Sequence, residues 1–86
     1  MNKEVEIYYA EWCPYCRRAL ALLKEKGVNY TGYDVDSDPG LREKMTERCA
    51  GTTIPQIFID RKHIGGSDDL VALEDEGRLD QLLKKE

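Results

Sequence analysis

The chain has 86 residues, of which 41% are hydrophobic and 35% are charged, and its net charge at pH 7 is −4. A chain of this length buries about two thirds of the surface that it exposes when unfolded, which suffices for one hydrophobic core and excludes a second. We therefore expect a single domain over residues 1–86, and the composition excludes disordered and fibrous proteins. The negative charge argues against a nucleic acid partner, because lysines and arginines hold a phosphate backbone.

The sequence gives no indication of export or of a membrane span. No apolar run approaches the roughly 20 residues that cross a bilayer, and Lys3, Glu4 and Glu6 stand where a signal peptide would be apolar. We therefore expect a cytoplasmic protein without membrane contact. The chain has an odd number of cysteines, three, which in a protein without an export signal argues against a framework of structural disulfides.

The first half of the chain predicts a strand, a helix and a second strand. Apolar residues alternate with glutamates and a tyrosine over residues 4–9, which indicates a strand with one buried and one partly covered face. From Pro14 the spacing becomes helical and predicts a helix over residues 14–26, ended by Gly27. A second strand is expected among Val28, Tyr30, Tyr33 and Val35. The short connection makes the two strands parallel, with a right-handed crossover.

The second half predicts a helix, a hairpin and a last helix. Ser37 and Asp38 favour a helix start, and the helix is expected over residues 39–49, with its stop at Gly51. Residues 57–59 and 63–64 are the predicted strands of a hairpin. The last helix is capped by Ser67 and Asp68, interrupted at Gly77 and continued by Leu79, Leu82 and Leu83. The predicted order is β-α-β-α-β-β-α.

The segment Cys13-Pro14-Tyr15-Cys16 lies where the first strand ends and the first helix begins. The unpaired N–H groups and the dipole of the opening helical turn stabilise a thiolate, so Cys13 is the predicted nucleophile. Cys16 falls one turn deeper on the apolar face of the helix and is expected to be buried and less ionised. It would then resolve a mixed disulfide formed by Cys13.

A zinc site is the alternative interpretation of these cysteines, because a Cys₃His set can be written from the sequence. The set would be Cys13, Cys16, Cys49 and His63. Cys49, however, continues the apolar stripe of the second helix, and His63 has no second closely spaced ligand beside it. The position of the first two cysteines at a strand-to-helix junction favours a redox pair.

The chain resembles the glutaredoxins over essentially its whole length, and most closely the small dithiol bacterial type. Three motifs in the family's order carry the resemblance, namely Cys13-Pro14-Tyr15-Cys16, Thr53-Ile54-Pro55 and Gly65-Gly66-Ser67-Asp68-Asp69. The resemblance implies an α/β thioredoxin fold, with a four-stranded mixed sheet in the order 2-1-3-4 flanked by helices. It also implies a cis peptide bond between Ile54 and Pro55.

The same resemblance implies a site for glutathione. The backbone of Ile54, before the cis-proline, would pair with the cysteinyl part of glutathione, and the start of the last helix would receive the γ-glutamyl carboxylate on backbone N–H groups. Asp69 or Asp68 would then pair with the α-amino group, and Arg42 would meet the glycyl carboxylate. The residues implied at the site are Tyr15, Arg42, Thr53, Ile54, Pro55, Gly66, Ser67, Asp68 and Asp69.

Each of these motifs also has a plainer interpretation. The two glycines can merely turn the chain after a hairpin, the two aspartates can merely cap a helix, and residues 53–55 can merely end a loop. The chain also departs from the family. Ala10 stands where many glutaredoxins have a lysine, Trp12 adds a large aromatic side chain before Cys13, and Ser67 stands where some relatives have a cysteine.

The resemblance implies a glutathione-dependent thiol–disulfide oxidoreductase that reduces protein disulfides and glutathione mixed disulfides. Glutathione would be the reductant and co-substrate, no metal is expected, and the protein is expected to be a monomer. Its partners would be glutathionylated or disulfide-containing proteins, with ribonucleotide reductase as one candidate. Two alternatives stay open, namely a redoxin that takes electrons from thioredoxin reductase and a carrier of a [2Fe–2S] cluster held by Cys13 and glutathione. Pro14 disfavours the second, since cluster-binding relatives more often have a small residue there.

Overall fold

The structure is a computed structural model, and it describes residues 3–84. The elements in chain order are β1 (Val5–Tyr9), α1 (Pro14–Glu25), β2 (Tyr30–Asp34), α2 (Pro39–Cys49), β3 (Gln56–Ile59), β4 (Lys62–Gly65), α3 (Ser67–Asp75) and α4 (Leu79–Leu83). The single domain predicted over residues 1–86 includes residues 1, 2, 85 and 86, which lie outside the described ones. Within residues 3–84, no helix has the length and apolar character that a membrane crossing requires.

The four strands form one sheet in the order β2-β1-β3-β4, which confirms the predicted order. β1 is parallel to β2 and antiparallel to β3, and β4 is antiparallel to β3. Tyr9, at the end of β1, lies opposite Asp34, and Tyr8 lies opposite Gln56 at the start of β3. One end of the sheet therefore carries three connecting segments. They are the segment after β1, the segment after β2 and the segment before β3.

Helices cover both faces of the sheet. On one face, side chains of α1, α3 and α4 pack against alternate strand residues, in a cluster that includes Val5, Ile7, Leu23, Ile57, Ile59, Leu70 and Leu79. On the other face, Met45 of α2 packs with Tyr8 and Phe58. The prediction that one face of β1 is only partly covered is wrong, since Glu6 is 7% exposed and Tyr8 is 2% exposed. The alternation in the sequence does not reveal that α2 covers this second face.

The buried carboxylate of Glu6 is paired with Arg48 of α2. Arg48 donates to both carboxylate oxygens of Glu6 at 2.9 Å, and Tyr33 donates to the same carboxylate at 3.1 Å. The guanidinium also lies 4.0 Å from the centre of the Phe58 ring. These hydrogen bonds from Arg48 are the main reason why the pKa of the Glu6 carboxyl lies below its usual value. The pair therefore joins α2 to the central strand.

Two predicted boundaries change in the structure, and one predicted interruption is confirmed. The residue with left-handed backbone after α2 is Ala50, with φ 57°, and not the predicted Gly51. The interruption predicted at Gly77 is present, because the chain turns there with a φ of 72° and divides the last helical segment into α3 and α4. β2 is shorter than predicted, and Val28 and Val35 flank it as buried residues.

Candidate active site

Cys13 is the N-cap residue of helix α1 and directly precedes Pro14. Its backbone is extended, with φ −86° and ψ 117°, and Pro14 occupies the first helical position, where a missing N–H costs nothing. The Cys13 sulfur accepts a hydrogen bond from the backbone N–H of Cys16 at 3.4 Å. The sulfur thus takes the place of an N-cap oxygen and satisfies one of the free donors of the first turn. This places the Cys13 sulfur at the positive end of α1.

Cys16 lies one turn further along α1 in the hydrophobic core. It is fully buried, whereas Cys13 is 4% exposed. Burial raises the pKa of the Cys16 thiol to about 12, against the opposing effect of a backbone hydrogen bond with Ala10, and the neighbouring Cys13 raises it further. Cys16 is therefore a protonated thiol at neutral pH. Cys13, Cys16 and Cys49 are all free thiols.

A groove of about 460 Å³ has Tyr15, which lies between the two cysteines in the sequence, in its wall. Its walls come from the first turn of α1, from the segment before β3 and from the junction of β4 with α3. Eight of the nine residues implied for glutathione line it, namely Tyr15, Thr53, Ile54, Pro55, Gly66, Ser67, Asp68 and Asp69. Its volume is within the range of about 300–1,000 Å³ that is usual for pockets of small ligands.

The segment before β3 forms one wall of the groove. The Ile54–Pro55 peptide bond is cis. Pro55 is buried, while Thr53 is exposed and Ile54 is half-buried. The backbone of residues 53–54 is not part of a strand, so an extended peptide in the groove could pair with it.

The start of α3 forms the opposite wall, and its cap differs from the predicted one. The residue before the helix is Gly66, not Ser67 or Asp68, and the carboxylate of Asp69 accepts the Gly66 N–H at 3.0 Å. Ser67 is the first residue of the helix, and its buried hydroxyl has no hydrogen-bond partner among the described residues. Asp68 is exposed and lies 3.8 Å from Arg18. Asp69 thus caps the helix, and Asp68 faces solvent at the rim.

Arg42 is the one implied glutathione residue that does not line the groove. It lies 3.5 Å from one carboxylate oxygen of Asp36. The other oxygen of Asp36 accepts the indole N–H of Trp12 at 2.6 Å. Asp36 follows β2, so this cluster lies on the β2 side of Cys13, whereas the groove lies on the β3 side.

Three further residues line the groove that the sequence did not single out for it, namely Gln56, His63 and Gly65. The side chain of Gln56 is buried and hydrogen-bonded on both sides, to Thr53 and to His63. The position of Gln56 in the sequence gives one indication of this role. It is a polar residue between Pro55 and an apolar strand, and a polar side chain that is buried there needs a hydrogen-bond partner.

The cysteines and His63 do not form a metal site in the structure. Across the described part of the chain, no three or more of the side chains of histidine, cysteine, aspartate and glutamate come together in a way that could hold a metal ion. Cys49 instead donates from its sulfur to the carbonyl of Gly51, at 3.6 Å. His63 contacts Gln56.

Comparison with known proteins gives one consistent result. The family model for glutaredoxin matches residues 5–64. Glutaredoxin 3 of Escherichia coli is 56% identical over 80 residues, which are 93% of this chain and 96% of that protein. The solution structure of glutaredoxin from Brucella melitensis superposes with a TM-score of 0.83 at 53% identity and covers 96% of this chain and 90% of its own. The crystal structure of a buckwheat glutaredoxin–glutathione complex has a TM-score of 0.85 at 26% identity, over 95% of this chain and 76% of its own.

Proposed function

The chain belongs to the glutaredoxin family and has its thioredoxin fold, and from this premise we propose that it is a glutathione-dependent enzyme. Membership of this family shows that the chain is a thiol–disulfide oxidoreductase with the pair Cys13 and Cys16. The proposal adds the source of electrons, glutathione, and the roles of the individual residues.

One observation carries the proposal. Three segments of the chain line a single groove, and one of them contributes Tyr15, which lies between the two cysteines. The buckwheat protein with the same fold was crystallised with glutathione. Such a groove near a nucleophilic sulfur suits a small substrate whose own sulfur atom lies near its middle.

The chemistry of the groove fits that of glutathione, which has two carboxylates, one ammonium group and an extended backbone. The backbone N–H groups at the start of α3 suit a carboxylate, because the N-terminus of a helix is partly positive. Ile54 offers its backbone N–H and carbonyl to the cysteinyl unit, and the carboxylate of Asp68 or Asp69 suits the ammonium group. Since Asp69 already accepts the Gly66 N–H, Asp68 is the freer of the two.

In the proposed reaction with a glutathionylated protein, the Cys13 thiolate attacks the glutathione sulfur. The bond between glutathione and the protein breaks, the protein leaves as a thiolate and takes up a proton, and a Cys13–glutathione disulfide forms. A second glutathione then attacks the glutathione sulfur of that disulfide as a thiolate. The products are oxidised glutathione and the Cys13 thiolate. One free glutathione thiol is therefore oxidised for each mixed disulfide reduced, and the other half of the oxidised glutathione comes from the glutathionylated protein.

With a disulfide inside a protein, Cys16 has a role as well. Cys13 attacks one sulfur and forms a mixed disulfide with the protein, and Cys16 then attacks Cys13 and releases the protein as a dithiol. The proton of Cys16 leaves as its sulfur attacks, because the thiol is protonated at neutral pH. Two glutathione molecules reduce the resulting Cys13–Cys16 disulfide. Ribonucleotide reductase stays a predicted substrate of this route, and the monomeric state and the cytoplasmic location stay predictions.

Mass spectrometry of the protein equilibrated with oxidised glutathione tests the proposal. In the natural chain Cys16 would displace glutathione from Cys13, so the Cys16→Ser variant is used. We expect one glutathione adduct on this variant, which peptide mapping places on Cys13, and no adduct at residue 13 when Cys13 is also replaced by serine. Cys49→Ser in the Cys16→Ser background is the matched control and should form the Cys13 adduct to the same extent. An adduct confined to Cys49, or none at all, would contradict the proposal.

The two alternatives give different results in simple assays. A redoxin served by thioredoxin reductase would turn over with that reductase and without glutathione. A [2Fe–2S] carrier would be brown after anaerobic purification, with visible absorbance that requires Cys13. Turnover that depends on glutathione, in a colourless protein, supports the proposed enzyme against both.

A further inference from the structure

Three side chains at the groove form a continuous chain of hydrogen bonds. The amide nitrogen of Gln56 donates to the carbonyl oxygen of Thr53 at 3.0 Å and lies 3.3 Å from its hydroxyl. The amide oxygen of Gln56 lies 2.7 Å from Nε2 of His63. All three residues line the groove. The chain of hydrogen bonds thus runs from the β3–β4 hairpin to the residue just before Ile54.

The donors and acceptors fix the direction of this chain. A carbonyl oxygen can only accept, so the Gln56 nitrogen must face Thr53 and the Gln56 oxygen must face His63. Nε2 of His63 therefore carries the proton and donates. The neutral ring with its proton on Nε2 and the doubly protonated ring both satisfy this arrangement. Gln56 is only 7% exposed, so any broken bond would leave a buried polar group without a partner.

His63 is an exposed residue of the hairpin, and its ring packs against the sheet. Its ring lies 5.2 Å from the ring of Phe58, the residue opposite it in the sheet. Ile57 pairs with Gly65 and Phe58 pairs with His63, so Ile64 is an extra residue of β4 that has no partner on β3. Such a bulge changes the direction of the neighbouring side chains. Here His63 points along β3 towards Gln56, while Gly65 reaches the start of α3.

We propose that Gln56 and His63 are positioning residues, which orient the backbone of Thr53 and Ile54 for the cysteinyl unit of glutathione. The inference rests on the proposed function and names two residues that act on the same groove. Thr53 is exposed and lies outside any strand, so the sheet does not set the direction of its carbonyl. The amide of Gln56 sets it, and His63 sets the amide.

Steady-state kinetics with a glutathionylated peptide as the varied substrate tests this. His63→Phe keeps an aromatic ring against Phe58 and removes the donor. The loss of one hydrogen bond should raise KM about two- to tenfold and leave kcat nearly unchanged. His63→Gln restores an N–H donor at a similar distance from the backbone and should bring KM back towards that of the natural chain. Gln56→Leu removes both bonds and should raise KM at least as much as His63→Phe.

A second readout separates positioning from general damage. Single-turnover reduction of a protein disulfide by the pre-reduced cysteine pair does not use bound glutathione, so its rate should not change in these variants. A merely structural role would slow it together with the glutathione reaction and would lower the melting temperature to a matching degree.

A double variant tests whether His63 acts through Gln56. In the Gln56→Leu background, His63→Phe should have almost no further effect on KM, because the two residues belong to one chain of hydrogen bonds. Additive effects, or an unchanged KM in His63→Phe, would overturn the inference. If the natural chain itself showed no glutathione-dependent turnover, the proposed function would fail, and the variants would not be needed to show it.

Discussion

Cys13 and Cys16 form an unequal pair, because the Cys13 sulfur accepts the Cys16 backbone N–H at 3.4 Å while the Cys16 sulfur is fully buried. Burial raises the pKa of the Cys16 thiol to about 12. The Cys13 sulfur thus lies at the start of α1, while the core keeps the Cys16 thiol protonated. This difference supports the proposed roles, in which Cys13 attacks the substrate and Cys16 acts in the second step.

The unequal pair predicts that the two reactions separate in the Cys16→Ser variant. Turnover of a glutathionylated peptide should stay within about twofold of that of the natural chain, since only Cys13 and glutathione take part. Reduction of a protein disulfide should fall by at least tenfold, because the mixed disulfide has no internal thiol to resolve it. Both rates are measured with the same coupled assay for oxidised glutathione. Equal loss of the two activities would contradict this division of roles.

Gly65 predicts a second effect, on the groove itself. Its φ is 128°, and a Cβ at this position would collide with the side chain of Asp69, which caps α3. Gly65→Ala should therefore weaken the binding of glutathione as well as destabilise the fold. Isothermal titration of the Cys13→Ser background with glutathione measures the first effect, and thermal unfolding measures the second.

Gly77→Ala is the matched control for this variant. Gly77 also has a positive φ, of 72°, but a Cβ there would have no atom within 4 Å. The control should lose about 1–2 kcal/mol of stability from its backbone conformation alone and should bind glutathione normally. If both variants bound glutathione as the parent does, the cap at Asp69 would have no part in the groove.

The order of the elements could be predicted from the sequence, because each element carries its own local pattern. The residues that make up each pattern are close together in the sequence. This holds for the helical spacing after Pro14, for the cysteine pair and for the hairpin. The residue that turns the chain after α2 is harder to predict. Glycine is the residue that ordinarily takes a left-handed backbone after a helix, which favours Gly51, but Ala50 takes this conformation instead. The pairing of Glu6 with Arg48 spans 42 residues, and no local pattern announces it.

The residues of the groove also fall into those that the sequence indicates and those that it does not. Tyr15, Ile54 and the start of α3 were implied by motifs, and they line one cavity. The sequence does not reveal Gln56 and His63 as groove residues, because their contact depends on the register of the hairpin and on the bulge at Ile64. A register is set by the packing of both faces of the sheet, which the sequence of one strand does not contain.

The buried pair of Glu6 and Arg48 predicts how stability depends on pH. The pKa of Glu6 is lowered in the folded chain, so its contribution is complete above the unfolded value of about 4.3 and is lost as the pH falls through the folded value. Glu6→Gln should cost about 1.5–3 kcal/mol at pH 7. In urea unfolding, the gap between the two proteins should narrow as the pH falls below about 4.3.

A carboxylate on the surface of the same helix provides the comparison. Glu43 is exposed on α2, and Glu43→Gln should change stability by less than about 0.5 kcal/mol. If Glu6→Gln behaved like Glu43→Gln, the pair with Arg48 would contribute nothing measurable to the fold.

Asp36 binds Arg42 through one carboxylate oxygen and Trp12 through the other. Asp36→Asn keeps an oxygen that can accept the indole N–H but loses the charge that attracts Arg42. An exposed ion pair contributes about 0–1 kcal/mol, so the freed Arg42 should lower KM for a glutathionylated peptide by at most about fivefold, if it meets the glycyl carboxylate as predicted. The same substitution in an Arg42→Gln background separates this effect from the general loss of negative charge near Cys13. A fall in KM that persists without Arg42 would assign the effect to that charge and would leave Arg42 without its predicted role, whereas a fall that requires Arg42 would show that Asp36 and glutathione compete for one guanidinium.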